Sequence, residues 1–507
     1  MKRWHLWGAG VICLLPSCAT DSGQPNIVFV FPDQMRASAM GFWSQEGFSD
    51  KINYTPDPVC TPNLDTFARE SLVLSSVYSN CPVSSPYRGS FLTGMYPNAS
   101  GIPINCRSDR PYSTLRTDAE CISDVLSAAG YDCAYIGKLH AEHPTPNDPQ
   151  RPGEYSDPRL PAWDAYTPPQ RRHGFNFWYS YGTFDEHKNP HYWDNDGNRH
   201  DPHEWSPVHE AGIASAYIRN EGGVRDKRKP FFMVVGMNPP HSPYKSSEDC
   251  MEEDIALYEN IPVDSLLVRP NADAGMEKAA CVPYYFASVT GVDRAFGDIL
   301  KAIRDAGLEK NTIVVFTSDH GETMCSHGID EPKNVVYTEA TNVPFIIRYP
   351  GRLKPRVDKL LLSSPDIMPT LLGIAGLADK IPAAVQGRDL STALFDVDAA
   401  VQRPEYALYI KNLDGPFTTG DITDEYFPVS RGLKTDRYTI CLTIDKEGAF
   451  AGHMLFDDVE DPYQMNSIPL EDCPELVSSL CDRMAAVLKE INDPWYTHGI
   501  LPEMIHY

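Results

Sequence analysis

The chain has 507 residues, a length that accommodates one large α/β domain and a smaller one. Its content of 42% hydrophobic and 11% aromatic residues supplies a sizeable core and excludes a largely disordered chain. A formal charge of −25 makes nucleic acid and anionic membrane surfaces poor partners, while a small anionic substrate stays open because local cations outweigh a distant acidic surface.

Residues 1–18 read as an export signal. Lys2 and Arg3 precede an apolar stretch, Trp4 to Leu15, that is too short to span a bilayer as a mature helix. The segment Leu15-Pro16-Ser17-Cys18 resembles a bacterial lipobox, with Pro16 a departure from it. The other reading is an ordinary cleaved signal peptide with an incidental cysteine. Both imply export, to the periplasm or to a membrane as a lipid-anchored protein. Of the 13 cysteines, setting aside Cys13 and Cys18 leaves an odd number, so at least one is unpaired in a monomer. No CxxC pair occurs, which argues against a cysteine-based zinc site.

In chain order, Asn26 to Phe31 is an apolar run that ends in Asp33-Gln34. Thr61-Pro62 opens a helix with Leu64, Phe67, Ala68 and Leu72 on one stripe, and Asp118 to Ala129 forms another, stopped by Gly130. Cys133 to Ile136 runs into Lys138 and His140. The stretch 141–230, rich in Pro, His, Trp and Asp, reads as loop insertions above the strand ends. Phe231 to Val235 runs into Asn238 and His241, and Thr312 to Phe316 into Asp319-His320, with a long helix, Tyr284 to Ala306, between them. Val343 to Ile347 is a fifth run, followed by a helix from Pro365 to Ala375. Continuous apolar runs suit strands buried on both faces, so residues 25–400 are expected to form an α/β domain, a large mainly parallel sheet sandwiched by helices. Residues 401–507, with strands at Tyr406–Ile410 and Tyr438–Leu442 and a helix at 474–491, are expected to add a small antiparallel sheet with one helix. Ligands bind outside the carboxyl ends of such parallel strands, and four separate runs place polar residues there.

The segment Ser84-Ser85-Pro86-Tyr87-Arg88-Gly89-Ser90-Phe91-Leu92-Thr93-Gly94 resembles the sulfatase signature of Cys or Ser, any residue, Pro, any residue, Arg, three further residues and Leu-Thr-Gly. Only Ser84 has Pro86 and Arg88 in register; Cys81 and Ser85 do not. The resemblance implies that a formylglycine-generating maturase oxidises Ser84 to an aldehyde. Its hydrate offers one hydroxyl to attack sulfur and a second whose deprotonation expels the sulfate. The resemblance also implies one Ca2+ held by Asp33, Gln34, Asp319 and His320 with residue 84 as a further ligand. Many relatives carry Asp where this chain has Gln34 and Asn where it has His320, so the charge of the site is reduced.

Gly137-Lys138-Leu139-His140 resembles the family's Gly-Lys-Trp-His, Pro239-Pro240-His241-Ser242-Pro243 its Pro-His-x-Pro turn, and Lys333 follows Asp319-His320 at the usual interval. By that resemblance Arg88 orients the formylglycine, Lys138 and His140 hold it, and His241 or Lys333 protonates the leaving alcohol. His187, His191 and Arg171 are candidates for sugar contacts, with an ordinary polar surface loop as the alternative. The function implied is hydrolysis of carbohydrate sulfate esters in glycan degradation, here by exo action on sulfated galactose or N-acetylgalactosamine. The alternatives are a phosphonate monoester or phosphodiester hydrolase, and a sulfoglycan-binding lipoprotein in which Ser84 stays unmodified.

Overall fold

Apolar runs at Asn26–Pro32, Phe231–Met237, Asp132–Lys138 and Thr312–Thr317 pair in parallel at the centre of a ten-stranded sheet. The computed structural model describes residues 23–144, 161–164, 166–399, 401–419 and 422–500, so the export signal read in residues 1–18 lies outside the described residues. From one edge the strands run Arg356–Asp358, Leu72–Leu74, Phe345–Arg348, Thr312–Thr317, Asn26–Pro32, Phe231–Met237, Asp132–Lys138, Phe177–Tyr181, Tyr192–Trp193 and Arg199–His200. The Phe345–Arg348 strand is antiparallel to both of its neighbours, so its carboxyl end lies at the opposite edge from the other four runs. An apolar run records burial on both faces and carries no direction.

Alternate residues of the central strand supply two separate cores. Val28 and Val30 pack on the face covered by the helices Pro62–Arg69, Ser206–Arg219 and Val282–Asp305. Ile27, Phe29 and Phe31 pack on the other, with Phe91 of the helix Ser84–Thr93, Val125 of Ile122–Ala128 and Leu371 of Ile367–Ile374. Phe29 and Phe91 stack with ring centroids 4.3 Å apart, which ties the Ser84 helix to the middle of the sheet. A buried phenylalanine of this kind contributes about 1.5–3 kcal/mol.

The stretch 141–230 differs from the loops expected of it. It contributes three strands of the sheet and the 14-residue helix Ser206–Arg219. That helix buries Ser206, Glu210 and Ser215 beside Ala211, Ala214 and Tyr217, so its sequence shows no apolar stripe although its packing is that of a core helix.

The chain after residue 401 forms a four-stranded antiparallel meander, Ala407–Thr419, Ile422–Lys434, Tyr438–Ile444 and Phe450–Asp457, covered by the helix Pro474–Glu490. Its first strand runs beyond the expected Tyr406–Ile410 because Asp414-Gly415-Pro416, which reads as a turn, is absorbed by a register shift between Asp414 and Phe417. This sheet buttresses the segment ahead of Ser84: Cys81 lies in its core, and Asn80 donates to the carbonyl of Leu408. The described cysteines, Cys60 to Cys481, are all free thiols. No described helix is long and apolar enough to cross a membrane.

Candidate active site

Parallel strands deliver their next residues to one edge, and the chemistry gathers there. Asp33 and Gln34 follow Asn26–Pro32, Lys138 ends Asp132–Lys138, Asn238 follows Phe231–Met237, and Asp319 and His320 follow Thr312–Thr317. Ser84 is the first residue of the helix that packs beneath them. Its hydroxyl lies 3.2 Å from His320 Nε2 and 3.4 Å from Asp33 Oδ1. Two glycines are required by this geometry. Gly94 ends the Ser84 helix at φ 67°, and a Cβ on Gly137, at φ 88°, would lie 2.2 Å from the Gly236 carbonyl oxygen of the adjacent strand.

Asp33, Asp319 and His320 are fully buried, and their ligand atoms lie within 4.8 Å of one another. His320 Nδ1 sits 2.9 Å from the Gly321 carbonyl, an acceptor, so Nδ1 carries the proton and Nε2 presents a lone pair. That lone pair faces Asp33 Oδ1 at 3.4 Å and Asp319 Oδ1 at 3.7 Å. Acceptors converging in this way fit a divalent cation.

Cations hold the outer faces of both carboxylates. Arg88 Nη2 donates to Asp33 Oδ2 at 3.1 Å and Asp319 Oδ2 at 3.2 Å, while Nη1 donates to the Lys138 carbonyl at 2.6 Å. Lys138 Nζ reaches Asp33 Oδ2 and Asn238 Oδ1, each at 2.8 Å. Burial would raise the Asp33 carboxyl, but the charge of Lys138 holds it well below the usual carboxylate range.

Ser84 opens onto a cavity of about 640 Å³ lined also by Gln34, Asn105, Lys138, His140, Trp163, Thr183, Asp185, His241 and Lys333. His241 Nδ1 donates to the Ser242 carbonyl at 2.7 Å, so Nε2 accepts from Lys333 Nζ at 2.9 Å. Burial and then the charges of Lys333 and Lys138 lower the His241 imidazole, and burial also lowers Lys333. With Nδ1 committed to the Ser242 carbonyl, the hydrogen-bond geometry places the shared proton on Lys333. His140, lowered well below its ordinary value by burial and then by Lys138 and Arg88, donates from Nε2 to the Cys106 carbonyl at 3.3 Å. A larger cleft of about 1070 Å³, walled by Tyr54, Tyr78, Arg403 and Arg437, contains none of these groups.

The sulfatase family model matches residues 25–377, which contain every one of these groups. The chain belongs to the sulfatase family. The model for the C-terminal region of N-sulphoglucosamine sulphohydrolase matches residues 326–490. An endo-4-O-sulfatase of Bacteroides thetaiotaomicron is 61% identical over 497 residues, covering 98% of each chain. An ulvan-active sulfatase of Formosa agariphila is 32% identical, covering 88% of this chain and 77% of its own. Among solved structures, a B. thetaiotaomicron 4S-sulfatase described within the metabolism of multiple glycosaminoglycans superposes with a TM-score of 0.92 at 62% identity, covering 96% of this chain and all of that one. A yidJ-type putative sulfatase of Bacteroides fragilis gives 0.81 at 34% identity, covering 94% and 97%. The sulfatase is accordingly a sulfuric ester hydrolase.

Of the residues singled out in the sequence, the sulfatase fold brings Asp33, Gln34, Ser84, Arg88, Lys138, His140, His241, Asp319, His320 and Lys333 to one place. The sugar-contact candidates divide differently. His187 is buried behind the cavity and donates from Nε2 to the His241 carbonyl at 2.9 Å. His191 is buried against Asp164 Oδ2 at 2.7 Å, and Arg171 is held by Glu142 at 2.9 Å and by the Leu115 carbonyl at 2.6 Å; neither lines the cavity. The described contacts of both are to neighbouring protein groups, with His191 Nε2 on Asp164 and the Arg171 guanidinium on Glu142 and the Leu115 carbonyl. Arg171→Ala is expected to lower the thermal midpoint, by about 1–3 kcal/mol in stability, and to leave KM for a small sulfate ester unchanged. Asn105 and Trp163 escaped notice because no periodicity or motif marks them. Asn105 accepts from the Ser85 amide at 2.9 Å, and Trp163 carries Arg107 at 5.2 Å and Arg110 at 5.7 Å over its ring.

Proposed function

We propose that this sulfatase removes 4-O-sulfate groups within glycosaminoglycan chains, using a formylglycine made from Ser84 and one Ca2+. The observation that carries the chemistry is Ser84 at the floor of a cavity, between the converging acceptors Asp33, Asp319 and His320 and the cations Lys138 and Lys333. The carbohydrate substrate class follows from near full-length similarity to the endo-4-O-sulfatase, and this reading replaces the exo action expected from sequence. Export through the leader in residues 1–18, lipid anchoring at Cys18 and maturation by a separate enzyme belong to the same proposal.

Asp33, Gln34, Asp319 and His320 would hold the cation, whose charge would polarise a sulfate oxygen. The hydrated aldehyde would supply both the nucleophilic hydroxyl and the hydroxyl that later releases sulfate. The other steps fall to side chains already in position. Lys138 and Lys333 offset the charge of the sulfate from two sides of the cavity. Arg88 fixes the two carboxylates, and with them the place where residue 84 must lie. Lys333, whose ammonium is made more acidic by burial, delivers a proton to the leaving sugar oxygen while His241 holds it in line.

The test uses protein from a host that carries the maturase. Chondroitin-type oligosaccharides with 4-O- or 6-O-sulfate, of increasing length, are compared with an aryl sulfate and an aryl phosphodiester. Release of internal 4-O-sulfate, with kcat/KM rising with chain length, is expected. Release from chain ends alone would remove the endo assignment, and preference for the phosphodiester would move the protein to the phosphodiesterase class.

A further inference from the structure

We propose that Glu322 is a positioning residue that makes Gln34 an oxygen ligand, by capturing its amide NH2 so that the amide oxygen is committed to the cavity. The inference rests on the reading of Asp33, Gln34, Asp319 and His320 as one cation site.

A carboxylate presents oxygen whichever way it turns, whereas a glutamine presents oxygen in one orientation and two N–H donors in the other. Its neighbours decide which end faces the site. Glu322 is completely buried and accepts from Lys278 Nζ at 2.7 Å and the Met324 amide at 3.0 Å on one oxygen, and from the Tyr244 hydroxyl at 2.8 Å on the other. The second oxygen also faces the Gln34 amide. An acceptor there requires the NH2 end of Gln34. On the opposite side Lys333 Nζ, a donor, lies 3.1 Å from the other amide atom and requires oxygen. Partners of opposite kind thus impose the same orientation. The main chain of Gln34 is pinned as well. Its N–H donates to Asp319 Oδ1 at 3.0 Å, its carbonyl accepts from the Tyr285 hydroxyl at 2.9 Å, and its φ of 65° lies in the left-handed region.

The consequence is a transfer of charge away from the cation site. Where a ligand carboxylate would stand beside Asp33, a neutral amide stands instead, and the negative charge lies behind it on Glu322, balanced by Lys278.

Glu322→Gln tests this directly. Lys278 and Met324 keep an oxygen on their side of residue 322, so the introduced NH2 turns toward Gln34, donor against donor. Gln34 must then flip and present its own NH2 to the cavity. Calorimetric titration with Ca2+ is expected to show affinity reduced about tenfold or more in E322Q. Q34E, which sets two carboxylates against each other, should bind weakly or fold poorly. The double variant Q34E/E322Q, in which the amide introduced at 322 donates to the carboxylate introduced at 34, should recover fold and most of the affinity. D319N serves as the control for the site itself. If D319N loses Ca2+ and E322Q keeps wild-type affinity, the positioning role is overturned and the cation site stands. If the wild-type protein takes up no Ca2+, both fall. If E322Q does not fold, the double variant decides: recovery of fold and Ca2+ affinity supports the proposal, and failure to recover overturns it.

Discussion

Ser84→Ala should reduce kcat on a sulfate ester by about 10⁵–10⁶-fold, the size of effect seen when a covalent nucleophile is removed from an otherwise complete site. The fold should survive the change. Among the described residues the Ser84 hydroxyl makes only the 3.2 Å and 3.4 Å contacts to His320 and Asp33, and helix Ser84–Thr93 is held by Tyr87, Phe91 and Leu92 in the core. The thermal midpoint and the circular dichroism spectrum should therefore match the wild type. Residual turnover near the wild-type rate would show that the reaction uses another nucleophile. The same experiment separates the enzyme from a sulfoglycan-binding lipoprotein, for which the substitution would leave carbohydrate binding intact and there would be no turnover to lose.

Arg88→Ala should be as damaging, by a different route. Arg88 is 1% exposed and is the cation that bridges Asp33 and Asp319. Removing it leaves Asp319 without its ion-pair partner and Asp33 with only Lys138 among the side-chain cations, at a cost of about 3–5 kcal/mol. It also opens a void against Phe31, whose ring the guanidinium covers at 4.6 Å. Low soluble yield is the expected result. Arg88→Lys keeps the charge and should fold, but a single ammonium cannot reach both carboxylates and the Lys138 carbonyl at once, so a loss of about 10²–10³-fold in kcat/KM is expected. Normal activity in the lysine variant would mean that charge alone, and not the planar fork, places the two carboxylates.

The convergence of the site was legible because parallel strands carry their polar followers to one edge. Asp33, Lys138, His241 and Asp319 are separated in turn by 105, 103 and 78 residues, yet each lies at or just beyond the end of an apolar run. Direction was not legible. Val343 to Ile347 looks like the other runs and lies antiparallel, since burial on both faces looks the same either way. The helix Ser206–Arg219 was hidden by the serines and the glutamate that it buries. Arg171 and His191 looked like recognition residues because their types suit a sugar; Glu142 and Asp164, which occupy them, are distant or unmarked in sequence. Gln34 looked like a weakened ligand. Its meaning appears only with Glu322, two positions beyond His320, where no motif drew attention to a carboxylate.

Conversion of Ser84 into the nucleophile of this sulfatase is tested most directly by the mass of the peptide that contains it. In protein purified from its native host, with sulfate release measured on the same sample, that peptide should be lighter than the encoded sequence by two hydrogens and should react with an aldehyde-specific hydrazide. An unmodified Ser84 in a preparation that fully hydrolyses sulfate esters would contradict the account.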